Sequence, residues 1–380
     1  MDSPPIYLLP QDTLHMIFIK LPLRQIILCR SISKTFQNLL TSSSFLQLFN
    51  SHHPTLSLIA LRPPHHRTRH RHVPTLPLSL LHAFDPFSNR WLKFDLTFLP
   101  FTSLSPVTSS FGKIYLWGNS PELTTRSLIE CNPLTRTFRV LPKLGSAWSK
   151  HGSVLSGSGG RVLVLTELAT LYWSESHNEN NNWLKFSSNL PSKPRSPILI
   201  GTSLYALCDV ESPWRTLWKL FACKLPDSKT KSLGWSRVEK NEWGDVFDLL
   251  KKPRLVKGIG NKILMVGGLK SSFSLNASCS TILILRLDLE SLEWDEAGRM
   301  PLEMYKCFQD SSKFKVFGGG DKVCFSGKRV GKLALWDENV KGDGSCGGCQ
   351  WRWVEGGTGF GDGLLRGFAF DACLGAMASL

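Results

Sequence analysis

A chain of 380 residues is well beyond the ~150 of one ordinary domain, so it holds two or three domains, or one large repeat architecture with an appendage. Hydrophobic residues at 42% and charged residues at 20% exclude wholesale disorder and a fibrous rod. The balance of 45 Lys and Arg against 30 Asp and Glu gives +15, which admits nucleic acid, an anionic membrane or an acidic protein as partner without choosing among them.

The 13 Trp, 22 Phe, 31 Gly and 22 Pro favour many short strands between tight turns, because long helices would be depleted in Gly and Pro. No run reaches the ~18 apolar residues of a membrane span, and the first residues lack the positive region of a signal peptide. The expectation is a soluble intracellular protein, in the nucleus and/or cytoplasm. Its 10 cysteines are scattered without framework spacing, which reads as buried thiols and not disulfides.

Residues 1–50 read as helical. Leu14, Ile17 and Phe18 form an apolar stripe after Asp12 and Thr13, and Leu21-Pro22-Leu23 interrupts before a second apolar run through Leu28. Ile32, Phe36, Leu39 and Leu40 then fall on one face of a helix, with Ser31 as its expected N-cap. Three short helices make a module too small to complete a core alone, and such a module docks on something.

Residues 51–77 read as a linker with a possible propeller-closing strand in 55–61. The His- and Arg-rich tract within 62–77 has no apolar periodicity and too many prolines for a regular element. From residue 78 to the C-terminus the pattern repeats. A Gly-led apolar strand recurs at 111–116, 159–164, 201–206, 260–265 and 320–325. A second signature, strand then polar turn then aromatic, places Trp91, Phe138, Trp183, Trp235, Trp294 and Trp351 at spacings of 47, 45, 52, 59 and 57 residues. Six copies of about fifty residues match the blades of a four-stranded propeller, in which stacked sheets hide one another's edges. The aromatics are expected to insert between neighbouring blades as a main source of stability.

Leu9-Pro10, Asp12, Leu14, Ile17, Leu21-Pro22-Leu23, Arg30, Ile32, Ser33-Lys34, Phe36 and Phe45 resemble the F-box motif over about 40 residues, with Ser33 where Cys is usual and Phe36 where Trp is usual. The repeats that follow resemble those of plant F-box/kelch proteins, with paired glycines kept at Gly159-Gly160, Gly267-Gly268 and within 318–320. The resemblance implies an all-α F-box followed by an all-β kelch-like propeller, and a substrate-receptor subunit of an SCF ubiquitin ligase. Leu9, Pro10, Leu14, Ile17, Leu21, Pro22, Leu28, Ile32 and Phe36 would then dock on the Skp adaptor, and through it on a cullin. The propeller would hold an unknown target protein over one rim. No residue need do chemistry and no cofactor is implied, because the assembly supplies proximity.

Other constellations carry less. His65, His66, His70 and His72 lack the companion carboxylates or cysteines of a metal site, and the tract lacks aromatics to stack on bases. Cys346 and Cys349 are half a zinc knuckle without a second pair. Glu293, Asp295 and Glu296 flank a repeat aromatic and read as solvent-facing charge, while 318–320 lacks the features of a phosphate loop. A propeller enzyme and a protein-binding scaffold without ubiquitination are the alternatives. Target specificity is expected in the longer loops at 119–127, 145–153, 210–216 and 304–315. Six further Trp, at 117, 148, 173, 214, 218 and 243, are divided between core and rim.

Overall fold

The structure is a computed structural model, and it describes residues 5–52, 56–62, 79–120, 126–175, 182–210, 216–225, 233–272, 278–309, 314–339, 350–355 and 364–374. Helices come first: α1 (Gln11–Phe18), α2 (Leu23–Arg30), α3 (Lys34–Thr41) and α4 (Ser43–His52). The fourth adds to the three expected from the pattern. It forms because Phe45 and Phe49, one turn apart, both bury against the other helices. The cap of α3 also moves from Ser31 to Ser33. Ser33 has extended backbone and its Oγ accepts from the Phe36 N–H at 3.2 Å, whereas Ser31 closes α2 and donates to the Leu28 carbonyl.

The rest is a ring of six four-stranded antiparallel sheets. From the axis outward, blade 1 is β24 (Arg366–Ala372), β1 (Leu56–Arg62), β2 (Leu80–Asp85) and β3 (Arg90–Asp95). Blade 2 is β4 (Thr102–Ser110), β5 (Lys113–Asn119), β6 (Arg126–Asn132) and β7 (Thr137–Val140). Blade 3 is β8 (Ser153–Gly157), β9 (Arg161–Leu165), β10 (Ala169–Trp173) and β11 (Leu184–Ser187). Blade 4 is β12 (Arg195–Ile200), β13 (Ser203–Asp209), β14 (Trp218–Lys224) and β15 (Ser236–Val238). Blade 5 is β16 (Leu250–Lys257), β17 (Lys262–Lys270), β18 (Cys279–Asp288) and β19 (Glu293–Arg299). Blade 6 is β20 (Phe314–Gly319), β21 (Lys322–Gly327), β22 (Leu333–Asp337) and β23 (Trp351–Val354). Short helices α5 (Ser146–His151) and α6 (Leu302–Gln309) lie on the connections into blades 3 and 6.

The repeat signatures take definite places in this frame. The five Gly-led strands are β5, β9, β13, β17 and β21, the second strands of blades 2 to 6. Each follows a tight turn whose glycine has positive φ, between 58° at Gly201 and 74° at Gly112. Blade 1 has no such copy because its second strand, β1, is entered from α4. In the second signature Asp85, Asn132 and Asp288 accept backbone N–H bonds from the turn that follows, at 2.8–3.4 Å. The turn returns the chain so that Phe84 faces Trp91, Cys131 faces Phe138 and Leu287 faces Trp294 across the outer hairpin.

The five Trp of the repeat series pack against the blade before their own. Trp91 joins a cluster of blade 1 and blade 6 residues, Trp183 one of blades 2 and 3, Trp235 one of blades 3 and 4, Trp294 one of blades 4 and 5, and Trp351 one of blades 5 and 6. Phe138 differs: it is 41% exposed and rests on Phe98 and Phe101 of the connection from blade 1. Of the remaining Trp, 117, 173 and 336 are buried, 148, 218, 243 and 353 are half-buried, and 214 lies outside the described residues.

Ring closure joins the two ends of the propeller. Leu56 to Arg62 pair with Ala372 to Arg366, so the first blade receives its innermost strand from the C-terminus. The strand at 55–61 is thus the second strand of the first blade, and the closing strand is the C-terminal one. The propeller accordingly starts at Leu56, ahead of residue 78 where the repeat pattern becomes visible. Residues 63–78, with the His and Arg tract, lie outside the described residues, as do Cys346 and Cys349.

Candidate protein-docking surface

Each Leu-Pro pair of the N-terminal module is a helix start. Pro10 and Pro22 have φ near −55° and −59° with extended ψ, and their carbonyls accept from Leu14 at 3.1 Å and from Ile26 at 3.1 Å. A proline has no N–H to continue a helix backward and its φ is already locked, so it fixes where α1 and α2 begin. The helices close on a core of Leu14, Phe18, Ile26, Phe36, Leu40, Phe45 and Phe49, each at most 5% exposed. Phe36 stacks on Tyr7 at 5.1 Å and meets Phe18 edge-on at 5.2 Å. His15 is also inside, against Phe45 at 5.4 Å, with its Nε2 buried and unbonded.

That core continues into the propeller. One apolar cluster runs from the helices through Leu58, Leu81, Phe94 and Phe370 of blade 1 to Ile114 and Ile129 of blade 2. The Arg30 guanidinium crosses the same boundary, donating to the Leu134 carbonyl and, at 2.7 Å, to the Leu40 carbonyl. Burial pulls its pKa down to about 10, still protonated at neutral pH. The helical module is therefore fixed to the ring by apolar contact and by a charged hydrogen-bond donor.

Although its core is complete, the module leaves an unusual amount of apolar surface in solvent. Of the fifteen exposed large hydrophobic side chains among the described residues, seven lie between residues 6 and 32: Ile6, Leu8, Leu9, Met16, Ile17, Leu28 and Ile32. Leu8 is 76%, Ile32 66% and Leu28 57% exposed. Single exposed leucines are ordinary, but this concentration is the composition of an interaction surface.

The nine residues singled out from the sequence divide on this basis. Leu9, Pro10, Ile17, Pro22, Leu28 and Ile32 are exposed, Leu21 is half-buried, and Leu14 and Phe36 belong to the module's own core. Leu8 and Met16 were missed, the first because it precedes the Leu-Pro pair and the second because neighbouring Ile17 carried the helical stripe. The carboxylates near Trp294 are exposed or ion-paired: Asp295 with Arg286, and Glu296 with Arg299 at 2.8 Å. The hydrogen bond from Arg299 is the main reason the Glu296 carboxyl is held below its ordinary pKa. Among the described residues no group of three or more His, Cys, Asp or Glu is placed to hold a metal ion.

Residues 6–48 match the F-box domain family. Over 386 aligned positions the sequence is 58% identical to the SKP1-interacting partner 15 of Arabidopsis thaliana, covering 99% of this chain and 100% of that protein. The chain belongs to the family of F-box proteins that includes this relative. Among solved structures it is similar to TolB from Acinetobacter baumannii, at 12% identity and a TM-score of 0.48, over 89% of this chain and 73% of that one. It is also similar to the hydrazine synthase of Kuenenia stuttgartiensis, at 11% identity and a TM-score of 0.42, over 72% of this chain and 80% of that one. The F-box thus comprises α1 to α4, and its exposed apolar residues are the candidate docking surface.

Proposed function

We propose that this F-box protein is the substrate-recognition subunit of an SCF-type ubiquitin ligase. The F-box docks on the Skp adaptor, which links it to a cullin, and the propeller holds a target protein for ubiquitination and degradation. The observation that carries the reading is the F-box itself: a module with a finished core that still presents Leu8, Leu9, Ile17, Leu28 and Ile32 to solvent. The near full-length relative is named for its interaction with SKP1, which supports the same partner here.

In this reading the chain is not a catalyst. It raises the effective concentration of a target near a separate conjugating enzyme, and its rigid attachment of F-box to propeller sets the distance. The blades are of the kelch type, on the strength of their length and paired glycines, and the protein acts in the nucleus and/or cytoplasm, which a fluorescent fusion would locate.

The test is capture of a purified Skp adaptor by the full chain. Leu28→Asp with Ile32→Asp places charge on the exposed surface without entering the core, and should abolish capture while the melting temperature stays within a few degrees. Failure of the wild-type chain to bind Skp, or unaltered binding by the double variant, defeats the proposal. Removing the whole F-box is a poorer test, because it strips apolar cover from Phe94 and Phe370 in blade 1.

A further inference from the structure

Each blade ends on its outer side in a strand with one unpaired edge: β3, β7, β11, β15, β19 and β23. Such an edge accepts another chain unless charge, shortness or cover blunts it. Five of the six are blunted. Arg90 and Lys93 are exposed on β3, Lys185 on β11, Arg237 on the three-residue β15, and Asp295 and Glu296 on β19, while β23 leaves no side chain exposed. The exception is β7, the one outer strand among the described residues that exposes two large apolar side chains, Phe138 at 41% and Val140 at 44%.

The backbone of β7 presents the same two residues outward. Successive pairs of an antiparallel ladder alternate between hydrogen-bonded and open. The Leu141 N–H donates to the Leu128 carbonyl at 2.9 Å, so the next pair, Val140 with Ile129, is open, and so is Phe138 with Cys131. The N–H and C=O groups of Phe138 and Val140 therefore point away from β6, and their side chains share one face, being two residues apart on a strand. That face meets the connection from blade 1: Phe138 lies 6.4 Å from Phe98 and 6.3 Å from Phe101, both half-buried. Arg139, between them, takes the other face, paired with Glu130 at 3.1 Å and with Glu175 at 2.8 Å.

This edge adjoins the F-box. The turn that leads into β7 holds Leu134, whose carbonyl accepts from Arg30 at the end of α2, and Leu134 belongs to the apolar cluster that joins the helices to blades 1 and 2. Leu28 and Ile32, 57% and 66% exposed, flank Arg30 in the chain. A partner that covers these two residues has blade 2 as its neighbour on the propeller. In the same turn Arg136 is ion-paired with Asp95 at 2.9 Å and lies 5.9 Å over Phe98, so its charge is already matched where the apolar edge begins. Phe138 itself stands at the repeat position where the other five blades carry a buried or half-buried Trp, so the repeat does not account for its exposure.

We propose that the Skp adaptor, bound at the F-box, continues onto the outer edge of blade 2 and lays an extended apolar segment along β7, over Phe138 and Val140. The identity of this partner rests on the ligase reading. Open donor and acceptor pairs at alternate residues, each with an apolar side chain on the same face, are what an added strand with apolar residues at alternate positions satisfies. Continuity with the exposed F-box residues assigns that strand to the adaptor. Contacts on both sides of the Arg30 link make one body of adaptor, F-box and propeller, and so fix the position of the ring relative to the conjugating enzyme more closely than the F-box contact alone.

The test is capture of a purified Skp adaptor by the full chain and by its variant Phe138→Lys with Val140→Lys, which gives β7 the residue type that blunts β3 and β11. Capture should weaken about ten-fold or more, while the melting temperature stays near that of wild type because both side chains are exposed. Leu302→Lys, at the 60% exposed start of α6 on the connection into blade 6, should bind as wild type does. Amide exchange of the wild-type chain needs no substitution and decides the matter if the double variant melts early: adding the adaptor should slow exchange at Phe138 and Val140. Unaltered capture by a folded double variant, or unaltered exchange at these two amides in a complex that forms, overturns the proposal and leaves the ligase reading standing. Self-association of the wild type that the double variant abolishes, with capture unchanged, gives the edge to a second copy and equally overturns it. Failure of the wild-type chain to capture the adaptor at all defeats the ligase reading, and this proposal with it.

Discussion

The guanidinium of Arg30, at the end of α2, donates to the backbone carbonyl of Leu134 in the turn between β6 and β7, so one side chain ties the F-box to blade 2. It also holds the Leu40 carbonyl near the end of α3. Hydrogen bonds from a charged donor are each worth about 1.5–3 kcal/mol, and removal leaves two carbonyls without this donor. Arg30→Ala should therefore cost roughly 3–6 kcal/mol and raise amide exchange in α3 and in the 133–136 turn. Lysine cannot fork to both acceptors, so Arg30→Lys should recover only part of the loss. Equal exchange in wild type and Arg30→Ala would show that apolar contact alone fixes the F-box.

The division of the F-box residues into exposed and buried makes a second prediction. Phe36 is 5% exposed and packs on Tyr7 and Phe18, so Phe36→Ala should cost about 3–5 kcal/mol and lose Skp capture by unfolding the module. Ile32, 66% exposed, should lose capture on substitution by Asp with stability changed by no more than about 0.5 kcal/mol. Circular dichroism melts set beside pull-downs separate the two routes. If both variants lose capture only by unfolding, the exposed residues are not the docking surface.

Much of this molecule was legible in its sequence because its signals are local. The Leu-Pro pairs mark helix starts through proline's fixed φ, and the Gly-led strands mark hairpin turns that need positive φ. The aromatic spacing follows from cross-strand pairing in one hairpin, as with Phe84 and Trp91. What the sequence hid depends on contacts between distant segments. Nothing local says that Leu61 pairs with Gly367, nor that Leu14 faces inward while Ile17 on the same helix faces out. The arginines of the innermost strands, Arg195, Arg254 and Arg366, come from blades 4, 5 and 1 and lie far apart in the chain, so charge counting gave +15 without placing any of it.

Closure of the ring depends on a residue without a side chain. Gly367 in β24 lies where a Cβ would meet the Ala60 carbonyl oxygen and come within 2.6 Å of the Phe317 ring of blade 6. Gly367→Val forces the closing strand away from both neighbours, and should cost more than the ~1–3 kcal/mol of ordinary overpacking because one obstacle is backbone. The C-terminal strand should then be cut early in limited proteolysis. Gly234→Ala is the control, since nothing lies within 4 Å of the added carbon and its melt should match wild type. A protected C-terminus in Gly367→Val would mean that closure tolerates a side chain at this position.

The six repeat aromatics look alike in the sequence but differ in burial, and their substitutions should differ accordingly. Trp351 is 6% exposed, lies 5.2 Å from Phe325, and belongs to the apolar cluster between blades 5 and 6. Truncating it removes a large ring from a filled interface, so Trp351→Ala should cost about 3–5 kcal/mol. Phe138 is 41% exposed and touches Phe98 and Phe101 at centroid distances above 6 Å, so Phe138→Ala should cost about 1 kcal/mol or less. Urea midpoints followed by far-ultraviolet dichroism, which does not depend on the deleted tryptophan, measure both. Equal losses would mean that the aromatics stabilise their own hairpins and not the joints between blades, since only the hairpin pairing is common to the two positions.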